Sequence, residues 1–136
     1  MTDVAVPDGS IKRPTLQFCV LCDAVAPETQ GTSKPSLLGL FSSIRGAPVA
    51  LPQFFIDCRW INGGGTHVQK IRILKPDLAP LTEVALDPFV LDSRTASCDA
   101  ISGFINLLFP SGGVYWVEIV LDDKLALSFP LPVFPK

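Results

Sequence analysis

From Thr15 onward, apolar segments of strand length alternate with proline, glycine, aspartate and serine at short intervals, and within the clearest segments apolar residues recur at every second position. A strand sends successive side chains to opposite faces, whereas a helix repeats about every 3.6 residues, so this pattern excludes a mainly helical fold. In Phe54-Phe55-Ile56-Asp57-Cys58-Arg59-Trp60, one face carries Phe54, Ile56, Cys58 and Trp60, and the other carries Asp57 and Arg59. In the segment 115–121, Tyr115, Val117, Ile119 and Leu121 share a face, and the segment 125–133 repeats the alternation. In the segment 101–109 the expected inward set is Ile101, Ile105, Leu107 and Phe109. Further strands near 16–26, 36–44, 66–75 and 82–91 bring the expected number to about eight, with room for one short helical turn in 78–87. The prediction is an all-β, two-layer antiparallel β-sandwich of immunoglobulin-like kind.

Turn chemistry sets the expected pairing. Asn62-Gly63-Gly64-Gly65 and Ser111-Gly112-Gly113 supply residues that tolerate positive φ, and both are read as hairpin turns. Asp122-Asp123 closes a tight turn between the last two strands. Pro130 and Pro132 fall on the outward parity of the final strand, and lacking an N–H they place it at a sheet edge, at least beyond Phe129. Val68 breaks parity with Ile71 and Ile73, which suggests a bulge. Residues 1–14, polar and aperiodic, read as a flexible arm before a domain over 15–136.

The segment Leu16-Gln17-Phe18-Cys19-Val20-Leu21-Cys22-Asp23 followed by Ser36-Leu37-Leu38-Gly39-Leu40-Phe41 resembles a family of small bacterial proteins of unknown function. The closing hairpin from Gly113 to Asp122 and the final Pro130-Leu131-Pro132-Val133 extend the likeness across about residues 15–134. Family members usually carry Gly after the Asp of the last turn, where this chain has Asp123. The resemblance implies a β-sandwich and brings no activity, cofactor or catalytic residue.

Charge narrows the function classes. The net charge of −2 and the lack of any Lys/Arg run remove the electrostatic footprint of a nucleic-acid or anionic-lipid binder. No apolar stretch is long enough to span a bilayer as a helix, and Met1-Thr2-Asp3-Val4 does not read as a signal peptide. Four cysteines without such a signal point to reduced thiols in a cytoplasmic protein.

The chemistry-bearing residues assemble no site by spacing. His67 is the single histidine, so a triad-type enzyme would have to use it; placed just after a glycine turn, it reads as a solvated loop residue. Cys19-Val20-Leu21-Cys22 has the spacing of a zinc or redox motif, but on a strand an odd separation points the sulfurs to opposite faces. Cys58 and Cys98 form no second knuckle. Gly63-Gly64-Gly65 lacks the helix and Lys-Ser/Thr of a phosphate loop. Asp87, Asp92, Asp99, Asp122 and Asp123 lack calcium-ligand spacing and read as turn residues. Trp60 reads as core rather than as a sugar platform, and Leu131–Pro135 as an edge strand rather than a polyproline ligand. No cofactor and no metal is expected.

Charged residues make up 18% of the chain against a usual value of about 25%, so less of the exterior can be covered by charge. On the strands 101–109 and 115–121, the outward parity holds Phe104, Leu108, Val114, Trp116 and Val120. If those strands are antiparallel neighbours, the five side chains gather on one exterior face, the expected contact surface of a protein partner or homodimer. The opposing expectation covers that face with the N-terminal arm or with a loop at 45–52. A small-ligand or carbohydrate-binding module is the alternative to an interaction module.

Overall fold

The computed structural model describes residues 13–26 and 34–136; of the arm expected at 1–14, only Arg13 and the buried Pro14 fall within the described residues. The elements are β1 (Thr15–Ala26), β2 (Ser36–Phe41), β3 (Ile44–Ala47), β4 (Val49–Ile61), β5 (Gly65–His67), β6 (Gln69–Leu74), β7 (Pro80–Ala85), β8 (Phe89–Leu91), β9 (Ser97–Phe109), β10 (Gly113–Leu121) and β11 (Lys124–Pro135). They form a four-stranded sheet ordered β2-β1-β4-β9, a five-stranded sheet ordered β3-β11-β10-β6-β7 and a ribbon of β5 and β8. The all-β expectation holds; among the described residues there are eleven strands rather than about eight, and no helix at 78–87.

The two larger sheets share one core, in which Phe54, Ile56, Trp60 and Phe104 of the first meet Ile71, Ile73, Tyr115, Val117 and Ile119 of the second. A buried polar bridge fixes their relative position. Gln69 on β6 accepts the Trp60 indole N–H at 2.7 Å and donates to the Ala100 carbonyl at 3.3 Å and the Ser102 hydroxyl at 3.4 Å. All three side chains are buried, so each polar atom depends on the others for its hydrogen bond. The Tyr115 hydroxyl, also buried, donates to the Ser111 carbonyl at 2.8 Å and pins the chain just before β10.

Several local expectations are corrected. The glycine-rich turns at 62–65 and 111–113 do not close hairpins: β4 and β5 do not pair, and β9 and β10 lie in different sheets. Their positive φ values, at Asn62, Gly65 and Gly113, carry the chain between sheets instead. The parity break at Val68 is not a bulge but the junction where β5 ends and β6 enters the five-stranded sheet. The expected loop at 45–52 is strand, supplying β3 and the start of β4. Pairing is not wholly antiparallel, since β3 runs parallel to β11 over 133–135. The edge expected beyond Phe129 is therefore covered from Val133 on, while Pro130 and Pro132 lie where β11 has no neighbour but β10.

The largest correction concerns β9. Its buried residues are Ala100, Ser102, Phe104 and Phe109, so Phe104 is core, stacked on Phe54 at 4.7 Å, while Ile105 faces out. The switch occurs at Asn106, whose φ of 52° lies in the left-handed region that asparagine tolerates. Partner strand β4 switches at the same level: Phe54 and Leu51 both face the core with Pro52 between. Register is kept on both sides, Leu51 opposite Leu107 and Gln53 opposite Ile105, so the two strands bend together.

The last turn carries positive φ at both Asp122 (51°) and Asp123 (65°), with Leu121 opposite Lys124, which is the type I′ geometry of a two-residue hairpin. The segments 16–23 and 36–41 are cross-strand partners: Leu40 pairs with Cys22 and Leu38 with Ala24, which brings Gly39 against Asp23. With φ at +70° and the Asp23 carboxylate where a Cβ would sit, only glycine fits there without strain.

Candidate functional site

The face of the four-stranded sheet turned away from the core is ordered as three cross-strand rows. Phe18, Arg59 and Asp99 form the first, Val20, Asp57 and Ile101 the second, and Cys22, Phe55 and Gly103 the third, taken from β1, β4 and β9 in turn. A bulge at Gln17 places Phe18 on this side after Leu16 has faced the core. Arg59 lies over the Phe18 ring at 4.7 Å and pairs with Asp99 at 2.6 and 3.2 Å, a forked contact that fixes both side chains. The Phe55 ring covers Gly103, and a Cβ there would stand 3.1 Å from it, the arrangement in which an aromatic side chain shields a strand glycine. Leu40 and Leu38 of β2 extend the face on one side and Ile105 of β9 on the other, exposed by 63%, 52% and 65%.

Asp57 sits at the centre of this face, fully buried, and neither of its carboxylate oxygens has a hydrogen-bonding partner among the described residues. A buried ionised carboxylate without donors is costly, and keeping the proton relieves that cost. Burial first, then the Asp99 carboxylate beside it, push its pKa up to about 7, with Arg59 pulling the other way. Burial and the charge of Asp57 likewise raise the Cys22 thiol, and burial with Asp99 and Asp57 raises Cys98. These thiols stay protonated at neutral pH, which suits packing and not nucleophilic attack.

The outer edge of the same sheet is open. β9 runs 13 residues and, among the described residues, shares a backbone ladder only with β4. β8 packs near it without joining its ladder. The strand contains no proline, lysine or arginine, and its one charge, Asp99, is neutralised by Arg59. Edge strands usually carry such devices to prevent pairing with another chain, and the other exposed edges here are blunted. β11 has Pro130 and Pro132 where β3 does not cover it, β3 is four residues long, and β2 and β7 are six, β7 opening on Pro80.

A cleft of about 370 Å³ opens between the two sheets where β1 and β2 face β11. Cys19, Leu21, Leu40 and Phe41 line one wall, and Phe129, Pro130 and Leu131 the other.

The five residues expected to form one contact surface do not gather. Phe104 and Val120 are buried, Leu108 is exposed on the four-stranded sheet, and Val114 with the half-buried Trp116 lies on the five-stranded sheet beside Pro132 and Pro130. Their premise, adjacent antiparallel β9 and β10, fails because the chain crosses between sheets at 111–113. His67 is not a solvated loop residue either. It is buried, with Nδ1 2.7 Å from Asp122 Oδ2 and Nε2 2.8 Å from the Gly64 carbonyl, both acceptors. With both ring nitrogens engaged, neither is left to take a proton from a substrate. The Val68 N–H donates to Asp122 Oδ1 at 2.9 Å, so this contact latches the β10–β11 turn onto the β5–β6 junction. Burial opposes ionisation of Asp122, but the His67 and Val68 hydrogen bonds and the charges of His67 and Arg13 outweigh it and lower its pKa. That stabilisation is present above the ordinary carboxylate range and is lost as pH falls through the lowered value.

Among the described residues, no three His, Cys, Asp or Glu side chains gather as a metal ion requires. The five aspartates are spread over Asp87 and Asp92 beside β8, Asp99 on β9, and the last turn. Trp60 is core, as its parity indicated. Among the same residues, no helix is long and apolar enough to cross a membrane.

The chain belongs to a protein family of unknown function, DUF6941, whose sequence pattern matches residues 17–134. No curated protein matches the sequence. The match begins at β1 and runs into β11, so it takes in all three rows of the outer face and the whole of β9.

Proposed function

We propose that this member of a family of unknown function is a non-catalytic interaction module that pairs with a second copy of itself along β9, on an immunoglobulin-like sandwich. The observation that carries the reading is the edge of β9, free of proline and unpaired charge and extended from Ser97 to its bend at Asn106, bordering the apolar side chains Ile101 and Ile105. An open edge presents backbone donors and acceptors that another strand satisfies, and antiparallel pairing of β9 with its own copy is self-complementary about a two-fold axis. Charge favours a like partner, because Asp99 is already held by Arg59 and no unpaired charge on β9 would meet its own copy.

The immunoglobulin-like reading is supported by the order β11-β10-β6-β7, by β3 parallel to the last strand, and by the Tyr115 hydroxyl bound to the backbone four residues upstream. A reducing compartment such as the cytoplasm suits four free thiols.

Light scattering tests the pairing directly. The wild type is expected to weigh twice the 14.6 kDa chain at micromolar concentration. Ile105→Lys puts a charge on an exposed position beside the edge and is expected to weaken association by roughly tenfold or more. Because Ile105 is exposed, the fold should survive, with Tm moved by no more than about 2 °C. Trp116→Glu, on the other sheet, should leave the mass unchanged. A monomeric wild type at high concentration contradicts the proposal.

A second reading, a small-molecule binding module, is favoured by the apolar cleft between β1–β2 and β11. An apolar ligand seated there should raise Tm and protect Leu40 and Phe129 from solvent.

A further inference from the structure

We propose that Cys19 and Cys58 are a peroxide-responsive thiol pair that closes into a disulfide linking β1 to β4. The two residues are direct cross-strand partners, and their sulfurs lie 3.5 Å apart. Opposed residues of an antiparallel pair hold their Cα atoms about 4.5–5.5 Å apart, inside the roughly 4.4–6.8 Å that a disulfide spans. The bond therefore needs side-chain rotation and no displacement of the strands.

Access divides the roles. Cys19 is half-buried and lines the cleft between β1–β2 and β11, so a small oxidant reaches its sulfur from solvent. Cys58 is fully buried behind it and donates its S–H toward the Cys19 sulfur. That hydrogen bond, with burial, holds the Cys58 thiol protonated. Cys19 is thus the thiol that oxidant attacks and Cys58 the resolving thiol, already in contact. The remaining cysteines are placed differently: Cys22 is buried on the outer face, and Cys98 stands opposite Trp60.

The steps balance with hydrogen peroxide as the oxidant. The Cys19 sulfur attacks one peroxide oxygen, the O–O bond breaks, and the products are a sulfenic acid on Cys19 and one water. The Cys58 sulfur then attacks the Cys19 sulfur, the S–O bond breaks, and the departing hydroxide takes the Cys58 proton as a second water. Two thiols are oxidised by two electrons in total and one peroxide is reduced.

The test is intact-mass and peptide-level mass spectrometry of the full chain after a molar excess of hydrogen peroxide. The expected product has lost the mass of two hydrogens, joins the peptides of Cys19 and Cys58, and reverts with dithiothreitol. Cys58→Ser should instead accumulate a sulfenic acid on Cys19 that dimedone captures, and Cys98→Ser should still form the link. The wild-type peptide map decides the matter even if a variant fails to fold. A cross-link through Cys98 or Cys22, oxidation of Cys19 to sulfinic acid without a link, or four unreacted thiols would each overturn the proposal.

Discussion

Asp57→Asn is expected to stabilise the protein above pH 8 and to change it little below pH 4. The carboxyl of Asp57 keeps its proton up to about 7 in the folded chain against 3.8 ordinarily, because it is buried beside Asp99 without a donor. A group whose folded pKa is raised contributes stability that is complete below its unfolded value and is lost as pH rises through the folded one. The wild type should therefore weaken between about pH 4 and pH 7, by up to about 4 kcal/mol in all at about 1.4 kcal/mol per pKa unit. Asparagine has nearly the same shape and stays neutral at every pH. Thermal unfolding at pH 8.5 should give the variant a Tm higher by roughly 10 °C, with the two curves converging toward pH 4. Parallel pH profiles would show that Asp57 is ionised and satisfied in the folded state.

Gln69→Met should produce the largest loss, about 3 kcal/mol. The substitution conserves volume but removes the acceptor of the Trp60 indole N–H and the donor to Ala100 and Ser102, all inside the core. An unsatisfied buried donor alone costs about 1–3 kcal/mol, and two acceptors lose their partner with it. Urea denaturation is expected to show the midpoint falling by roughly 1 M or more. Ser102→Ala, which removes one weaker acceptor, should cost about 1 kcal/mol. The double variant should lose less than the sum, since both changes act on one network. A midpoint for Gln69→Met within error of wild type would mean that the bridge between the sheets carries no net energy.

Alternation made the fold class and most strands legible, and in β4 and β10 it assigned Phe54, Ile56, Trp60, Tyr115, Val117 and Ile119 correctly to the core. In β9 it held for Leu107 and Phe109 and failed for Ile101 and Ile105, because period-2 reasoning assumes an unbroken strand. Asn106 takes positive φ and Pro52 bends β4 at the same level, so the inward set before that point is Ala100, Ser102 and Phe104. The glycine turns were legible as turns, but composition does not say whether a chain leaving a turn rejoins its own sheet or crosses to the other. For the same reason the contact face was sought on β9 and β10 together. Asp57 is readable as an outward residue, and only the pairing of β1, β4 and β9 reveals that Val20 and Ile101 flank it. The burial of His67 is not legible locally, because its partner Asp122 lies 55 residues away.

Amide hydrogen exchange followed against protein concentration addresses the pairing of β9 most directly. Protection of Ile101–Ile105 should rise with concentration, while the free edge of β11 near Ser128 exchanges at one rate throughout. Exchange in β9 that is fast and independent of concentration would contradict the pairing.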